Sequence, residues 1–264
     1  MASAPIGWRA WLAALFSARG AGEALPPSLR KPAVRRRGDT TELQFVRGVS
    51  QSQMVTRDPD RLLIDYTRTM LGALVLAPRP RSIGIIGLGG GSQPKYCYRH
   101  LPEARIEVVE NNPHVLALRR KFRVPDDDAR FQVFLDDGAR FLQGRRGRFD
   151  LLLVDGYDET GIPDALSTQA FYDDCRESLA EAGAAAFNLY CADAATHVGR
   201  LRNAFGEDHV LVIEELRQSN RVAIAWTGPD RESAEMSLSS AALRDLARVF
   251  ATVRERLATA NLSA

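Results

Sequence analysis

Residues 82–92 read Ser-Ile-Gly-Ile-Ile-Gly-Leu-Gly-Gly-Gly-Ser, and the fold follows from what surrounds them. The apolar run Ile83–Gly87 enters a glycine turn, a helical stretch follows at about 93–100, and a second apolar run spans Ile106–Glu110. The pattern then repeats. Phe131–Leu135, Leu151–Asp155 and Ala184–Leu189 are further strand candidates, with helical stretches at about 113–122, 138–143 and 168–180. Short apolar strands alternating with helices describe βαβ units and a parallel sheet covered on both faces. The last pair, His209–Glu214 and Arg221–Thr227, is joined by a short polar loop and is expected to be antiparallel.

A parallel sheet closed by one antiparallel hairpin is similar to the class I methyltransferase architecture, so the expected class is α/β, a methyltransferase-like Rossmann fold. Upstream, residues 41–55 alternate apolar and polar around Gly48 and predict a small β-hairpin. Residues 61–76 place Leu62, Tyr66, Met70 and Leu74 four apart, a helical stripe that Pro78 and Pro80 end. A last helix at about 239–258 lines up Leu243, Leu246, Phe250, Val253 and Leu257, for docking on the body or on a second subunit. The expected division is a mobile basic arm over 1–38, with a short helix at Trp8–Phe16, then the hairpin and helix over 39–80. A nucleoside-binding catalytic domain over 81–264 completes it.

Composition bounds the function classes. Of 264 residues, 45% are hydrophobic and 26% charged, which is ordinary for a globular chain large enough to fold without cross-links. Cys97, Cys175 and Cys191 are odd in number and far apart; with no CxxC and four scattered histidines, neither a disulfide framework nor a metal site is expected. No apolar run approaches the ~20 residues of a membrane span. The expectation is a soluble, cytoplasmic protein with no membrane or nucleic-acid partner and a homodimer as a candidate assembly. Residues 1–37 carry seven Lys/Arg against the single acid Glu23, whereas the remainder is mildly acidic. The basic segment reads as a solvated arm, and the acidic body permits a cationic substrate.

The glycines at 87, 89 and 91 let the backbone turn tightly and admit a ligand to the amides of the next helix. Glu110 closes the second strand about 20 residues later, where an acid accepts hydrogen bonds from both ribose hydroxyls. No Gly-Lys-Ser/Thr follows the glycines, which excludes a P-loop, and Ser92 stands where a dinucleotide fingerprint wants glycine. The third strand ends in Asp136-Asp137-Gly138, where a carboxylate can accept from an adenine amino group or cap a helix. Acids after strands two and three, without a pyrophosphate site, suit an S-adenosyl compound.

Strand four ends in Asp155-Gly156-Tyr157-Asp158-Glu159-Thr160-Gly161, followed by Leu166-Ser167-Thr168-Gln169-Ala170-Phe171-Tyr172. Together with the glycine run, Val108-Val109-Glu110, Asp137-Gly138 and the helix carrying Tyr66, these segments resemble the spermidine synthase (polyamine aminopropyltransferase) family over about residues 41–227. The resemblance implies an amine attacking a sulfonium. The family moves an aminopropyl group from decarboxylated S-adenosylmethionine to an amine such as putrescine and releases methylthioadenosine, without a metal. Asp155 then matches the general base, Asp158 the amine-binding acid and Tyr66 the tyrosine that positions substrate; Gln53 is a further substrate-binding candidate.

Three positions depart from the family. Gly90 stands where the glycine loop usually carries an aspartate facing the donor's ammonium, Thr67 replaces a glutamine, and Leu216–Asn220 replaces a proline- and tyrosine-rich segment. The loss at Gly90 points toward intact S-adenosylmethionine as an alternative donor. Two alternative functions accompany that reading: a methyltransferase, or a non-catalytic nucleoside-binding homologue.

Overall fold

The computed structural model describes residues 30–158, 161–215, 220–229 and 235–261. Two sheets organise them. Strands β1 (Ala33–Arg37), β2 (Thr40–Gln44) and β3 (Ser52–Val55) form an antiparallel meander. The main sheet has seven strands in the order β6-β5-β4-β7-β8-β10-β9. These are β4 (Ser82–Ile86), β5 (Arg105–Glu110), β6 (Phe131–Leu135), β7 (Phe149–Val154), β8 (Leu179–Asn188), β9 (Val210–Glu215) and β10 (Asn220–Trp226). The first five pair in parallel, while β10 runs antiparallel to both β8 and β9. The expected fold class therefore holds, including the closing hairpin.

Seven α-helices are described: α1 (Asp65–Met70), α2 (Ser92–His100), α3 (Pro113–Leu116), α4 (Gly138–Leu142), α5 (Gln169–Ser178), α6 (Ala194–Phe205) and α7 (Ser240–Asn261). Two cores flank the main sheet. On one side Ile83, Ile85, Val108 and Leu153 meet α1, α2 and Leu246, Phe250 and Val253 of α7. On the other, Ile86, Leu152 and Phe187 meet Phe171, Tyr172 and Leu201. Successive residues on one strand enter opposite cores, which is why these strands are apolar throughout. None of the described helices is long and apolar enough to cross a membrane.

Four local expectations are corrected. The N-terminal element is a three-stranded sheet, and a boundary at residue 38 would cut off β1, whose arginines lie along an exposed edge. Such an edge resists pairing with other chains. The helix expected over 61–76 is α1 followed by a tighter 3₁₀ turn, Leu71–Val75, against α7. Gly72 admits that approach, since a Cβ there would lie 2.8 Å from Val253 Cγ2. The helix expected at 113–122 stops at Leu116 and continues as turns. Finally, α6, which covers the β8-to-β9 connection, had no counterpart among the expected helices. The helix expected at Trp8–Phe16 lies outside the described residues.

Candidate active site

The carboxyl ends of β4, β5, β6 and β7 open onto a cavity of about 720 Å³, the size that holds a nucleoside-class ligand. The meander roofs it with Leu43, Phe45 and Ser50–Gln53, while Tyr66 and Thr67 of α1 and Asn188 and Tyr190 complete the wall. Gly87 makes the floor possible. Its φ is +95°, and a Cβ there would stand 2.2 Å from the Asp155 carbonyl oxygen. Only glycine lets the β4 turn lie against the end of β7.

Asp155 follows the last residue of β7 and projects into this cavity, held by two donors. Tyr66 Oη donates to Oδ2 at 3.0 Å, and Asn188 Nδ2 donates to Oδ1 at 2.8 Å. Desolvation raises the carboxyl pKa above its ordinary value, and the two hydrogen bonds oppose that rise. Burial and the neighbouring carboxylate push the Tyr66 phenol well above its usual range, so it stays a donor. Tyr157 Oη donates to the Asn188 carbonyl at 2.6 Å and accepts from the Tyr190 amide at 2.6 Å, which fixes the backbone from which Asn188 reaches. Sequence reasoning found Tyr66 and Asp155 but not Asn188, whose role exists only because β8 lies beside β7.

Glu110, at the end of β5, is 8% exposed and lines the cavity. Its Oε2 accepts from the Leu88 amide at 3.0 Å and its Oε1 from the Asn112 amide at 2.8 Å. One carboxylate thereby ties the glycine loop to the turn after β5. Burial raises its pKa, and the backbone donors resist. Asp136 and Asp137 divide the two readings of their motif. Asp137 caps α4, accepting from the amides of Ala139 and Arg140 at 3.0 Å each. Asp136 accepts at Oδ1 from Arg140 Nε at 2.7 Å and from the Asp137 amide at 2.8 Å, while both aspartates line the cavity. Gly138 packs under Ile86 and Leu166. Gln53 on β3 and Asp158 also line the cavity, and the Gly161 amide donates to Asp158 Oδ1 at 3.2 Å.

The glycine loop has no free room for a side chain at position 90. A Cβ on Gly90 would stand 2.5 Å from Ser52 Oγ and 3.0 Å from Phe122 Cδ1. Ser52, on β3, thus occupies the space that an acid at position 90 would need. Gly89 and Gly91 take left-handed φ values of +48° and +69°, and Gly91 is the N-cap of α2.

The charge of the lining has one sign. Glu110, Asp136, Asp137, Asp155 and Asp158 border the cavity, and no Lys, Arg or His does so among the described residues. Five carboxylates beside a low-dielectric wall attract cations and repel anions.

Comparison with known proteins identifies the family of the chain. Residues 58–192 match the family described as "Spermine/spermidine synthase domain". The polyamine aminopropyltransferase of Chromobacterium violaceum is 33% identical over 211 residues, which are 79% of this chain and 79% of that one. Among solved structures, a probable spermidine synthase from Corynebacterium glutamicum aligns with a TM-score of 0.65 at 19% identity, over 83% of this chain and 82% of that one. Human methyltransferase-like protein 13 in complex with SAH aligns with a TM-score of 0.59 at 21% identity, over 73% and 93%. At these identities the two structures bear on the fold alone.

Proposed function

The chain belongs to the spermine/spermidine synthase family, and we propose that it transfers the aminopropyl group of decarboxylated S-adenosylmethionine to an amine, releasing methylthioadenosine. The charged residues of the lining, all of them carboxylates, carry this reading. The donor is a sulfonium with a free ammonium, and the acceptor reaches the site as an ammonium ion. Intact S-adenosylmethionine adds a carboxylate, which the described lining offers no side-chain cation to meet. This revises the donor preference suggested by Gly90 alone. With Ser52 filling the space beside the loop, the work of the absent acid falls to Asp155 and Asp158 across the cavity.

In this reading Glu110 holds the ribose and Asp136 faces the adenine amino group. Asp155 receives the acceptor ammonium and takes its proton as the nitrogen lone pair attacks the carbon attached to sulfur. The carbon–sulfur bond breaks, and its electrons remain on sulfur as a neutral thioether. The new carbon–nitrogen bond forms as the Asp155 carboxylate takes up the displaced proton. Tyr66 and Asn188 keep that carboxylate fixed, so the reaction requires little reorganisation.

The test is product analysis by mass spectrometry with decarboxylated or intact S-adenosylmethionine and a panel of diamines. Aminopropylated amine and methylthioadenosine in equal amounts are expected from the decarboxylated donor. Methylated product alone would overturn the proposal.

A further inference from the structure

Beyond the mouth of the cavity, the segment after β8 and the first turn of α6 bring together Cys191, Asp193 and His197. One ligand atom from each lies within 4.8 Å of the others. His197 is 2% exposed, an unusual burial for an imidazole, and its Nδ1 is 2.7 Å from Tyr172 Oη. That contact leaves Nε2 to face Asp193, whose Oδ1 is 3.6 Å away, beyond hydrogen-bond range. In a tetrahedral zinc site, an imidazole nitrogen and a carboxylate oxygen stand roughly 3.3 Å apart, given the usual bond lengths. The observed separation is therefore close to that of two ligands with an ion between them.

Asp193 supplies an independent sign. It occupies the N-cap position of α6, where an aspartate ordinarily accepts from the next turn's amides, yet its side chain makes no capping bond. The carboxylate is turned instead toward the Cys191 thiol, its hydrogen-bond partner, and the imidazole one turn along. An imidazole held at one nitrogen by a hydroxyl, with the other aimed at a thiol and a carboxylate, has the arrangement of a metal-ligating histidine and its outer-sphere partner.

We propose that Cys191, Asp193 and His197 form a zinc-class metal site, separate from the nucleoside cavity, with its fourth position open to water. Sulfur, nitrogen and carboxylate oxygen are the donor set that a borderline-soft dication takes. On binding, the Cys191 thiol releases its proton to solvent and the sulfur enters as thiolate. One thiolate and one carboxylate neutralise the ion's charge, so Arg200 and Arg221, whose charges reach His197 and Cys191, do not oppose the filled site. The ion joins the segment after β8 to α6. That segment follows directly on Asn188, the last residue of β8 and the one that steadies Asp155, so occupancy stiffens the wall of the cavity without touching substrate.

The test uses the full chain with Zn²⁺ alone in titration calorimetry and Co²⁺ as an optical probe. Wild type should bind one Zn²⁺ and show a thiolate-to-cobalt charge-transfer band in the near ultraviolet. Cys191→Ser should abolish the band, and both Cys191→Ser and Asp193→Asn should weaken Zn²⁺ by about tenfold or more while retaining the fold. Both positions lie at the surface end of the cluster, and neither variant empties the core. Absence of Zn²⁺ binding to wild type overturns the proposal. So does binding that persists unchanged in both variants, which would place the ion on other carboxylates.

Discussion

Asn188 Nδ2 and Asp155 Oδ1 lie 2.8 Å apart, joining the end of β8 to the end of β7. The amide can only donate there, so it favours the ionised carboxylate against a burial that disfavours it. Asn188→Ala should therefore raise the Asp155 pKa. If the ionised form receives the amine, the acid limb of kcat/KM should move to higher pH, with a smaller change at alkaline pH. A pH–rate profile with an unshifted acid limb would show that Asn188 does not tune this group.

Asp155→Asn should lower turnover by ~100-fold or more, the usual scale of a lost general base. Stability should move the other way. The folded pKa is raised, so Asp155 favours the fold most at low pH, and that contribution is lost as pH rises through the folded pKa. Asn188 keeps an oxygen to donate to and the Tyr66 hydroxyl can turn to accept from the new amide nitrogen, so the variant should melt at or above the wild-type midpoint at neutral pH, with the gap narrowing toward acid. A large drop in midpoint at neutral pH would contradict this.

Glu110, proposed to hold the ribose, also joins two backbone segments. Glu110→Gln should weaken methylthioadenosine by ~1–3 kcal/mol, as expected for a lost charge-assisted acceptor. It should also lower the melting midpoint, because one amide oxygen cannot serve both the Leu88 and Asn112 N–H groups. Calorimetry and thermal melting separate the two effects. Unchanged ligand affinity would remove Glu110 from the ribose site.

Gly90→Asp should not restore an acid to the glycine loop unaided, because its Cβ meets Ser52 Oγ at 2.5 Å. The single variant should lose ~1–3 kcal/mol to overpacking. Adding Ser52→Gly should recover much of that and improve KM for the decarboxylated donor. Denaturant melts and donor kinetics on the single and double variants test this; equal stability of the two would refute the steric argument.

Deleting residues 1–38 removes β1 and the Arg30 carbonyl that accepts from Asn112 Nδ2. The melting midpoint should fall relative to a deletion of residues 1–29, which retains both. Equal midpoints would show that β1 contributes nothing to the fold.

The strands of the main sheet could be read from sequence because both their faces are buried, so Ile83–Ile86 and Leu151–Val154 are continuous apolar runs. β1 could not. Its sequence, Ala-Val-Arg-Arg-Arg, carries the charge of a solvated tail because one edge faces water. Helix α6 was hidden by composition: its buried stripe is Ala194, His197, Leu201 and Phe205, where a histidine stands in an apolar register and Gly199 interrupts. Asp155, Tyr66 and Glu110 were found through local motifs. Asn188, Ser52 and the Cys191–Asp193–His197 group carry no local signal. Each acquires its role from a neighbour placed by sheet pairing, loop packing or the onset of a helix.

The strand order carries a consequence for synthesis. β10, at 220–226, inserts between β8 and β9, so the hydrogen-bonding edge of Ala184–Asn188 waits for residues made well after it. A nascent chain that has emerged only to β9 already contains Tyr66, Asp155 and Asn188, yet presents an Ala-Ala-Ala-Phe-Asn edge with no partner on that side. Such an edge can recruit another strand. The cavity wall thus depends on one of the last strands to leave the ribosome, and prematurely terminated chains would carry Tyr66, Asp155 and Asn188 together with an adhesive flank.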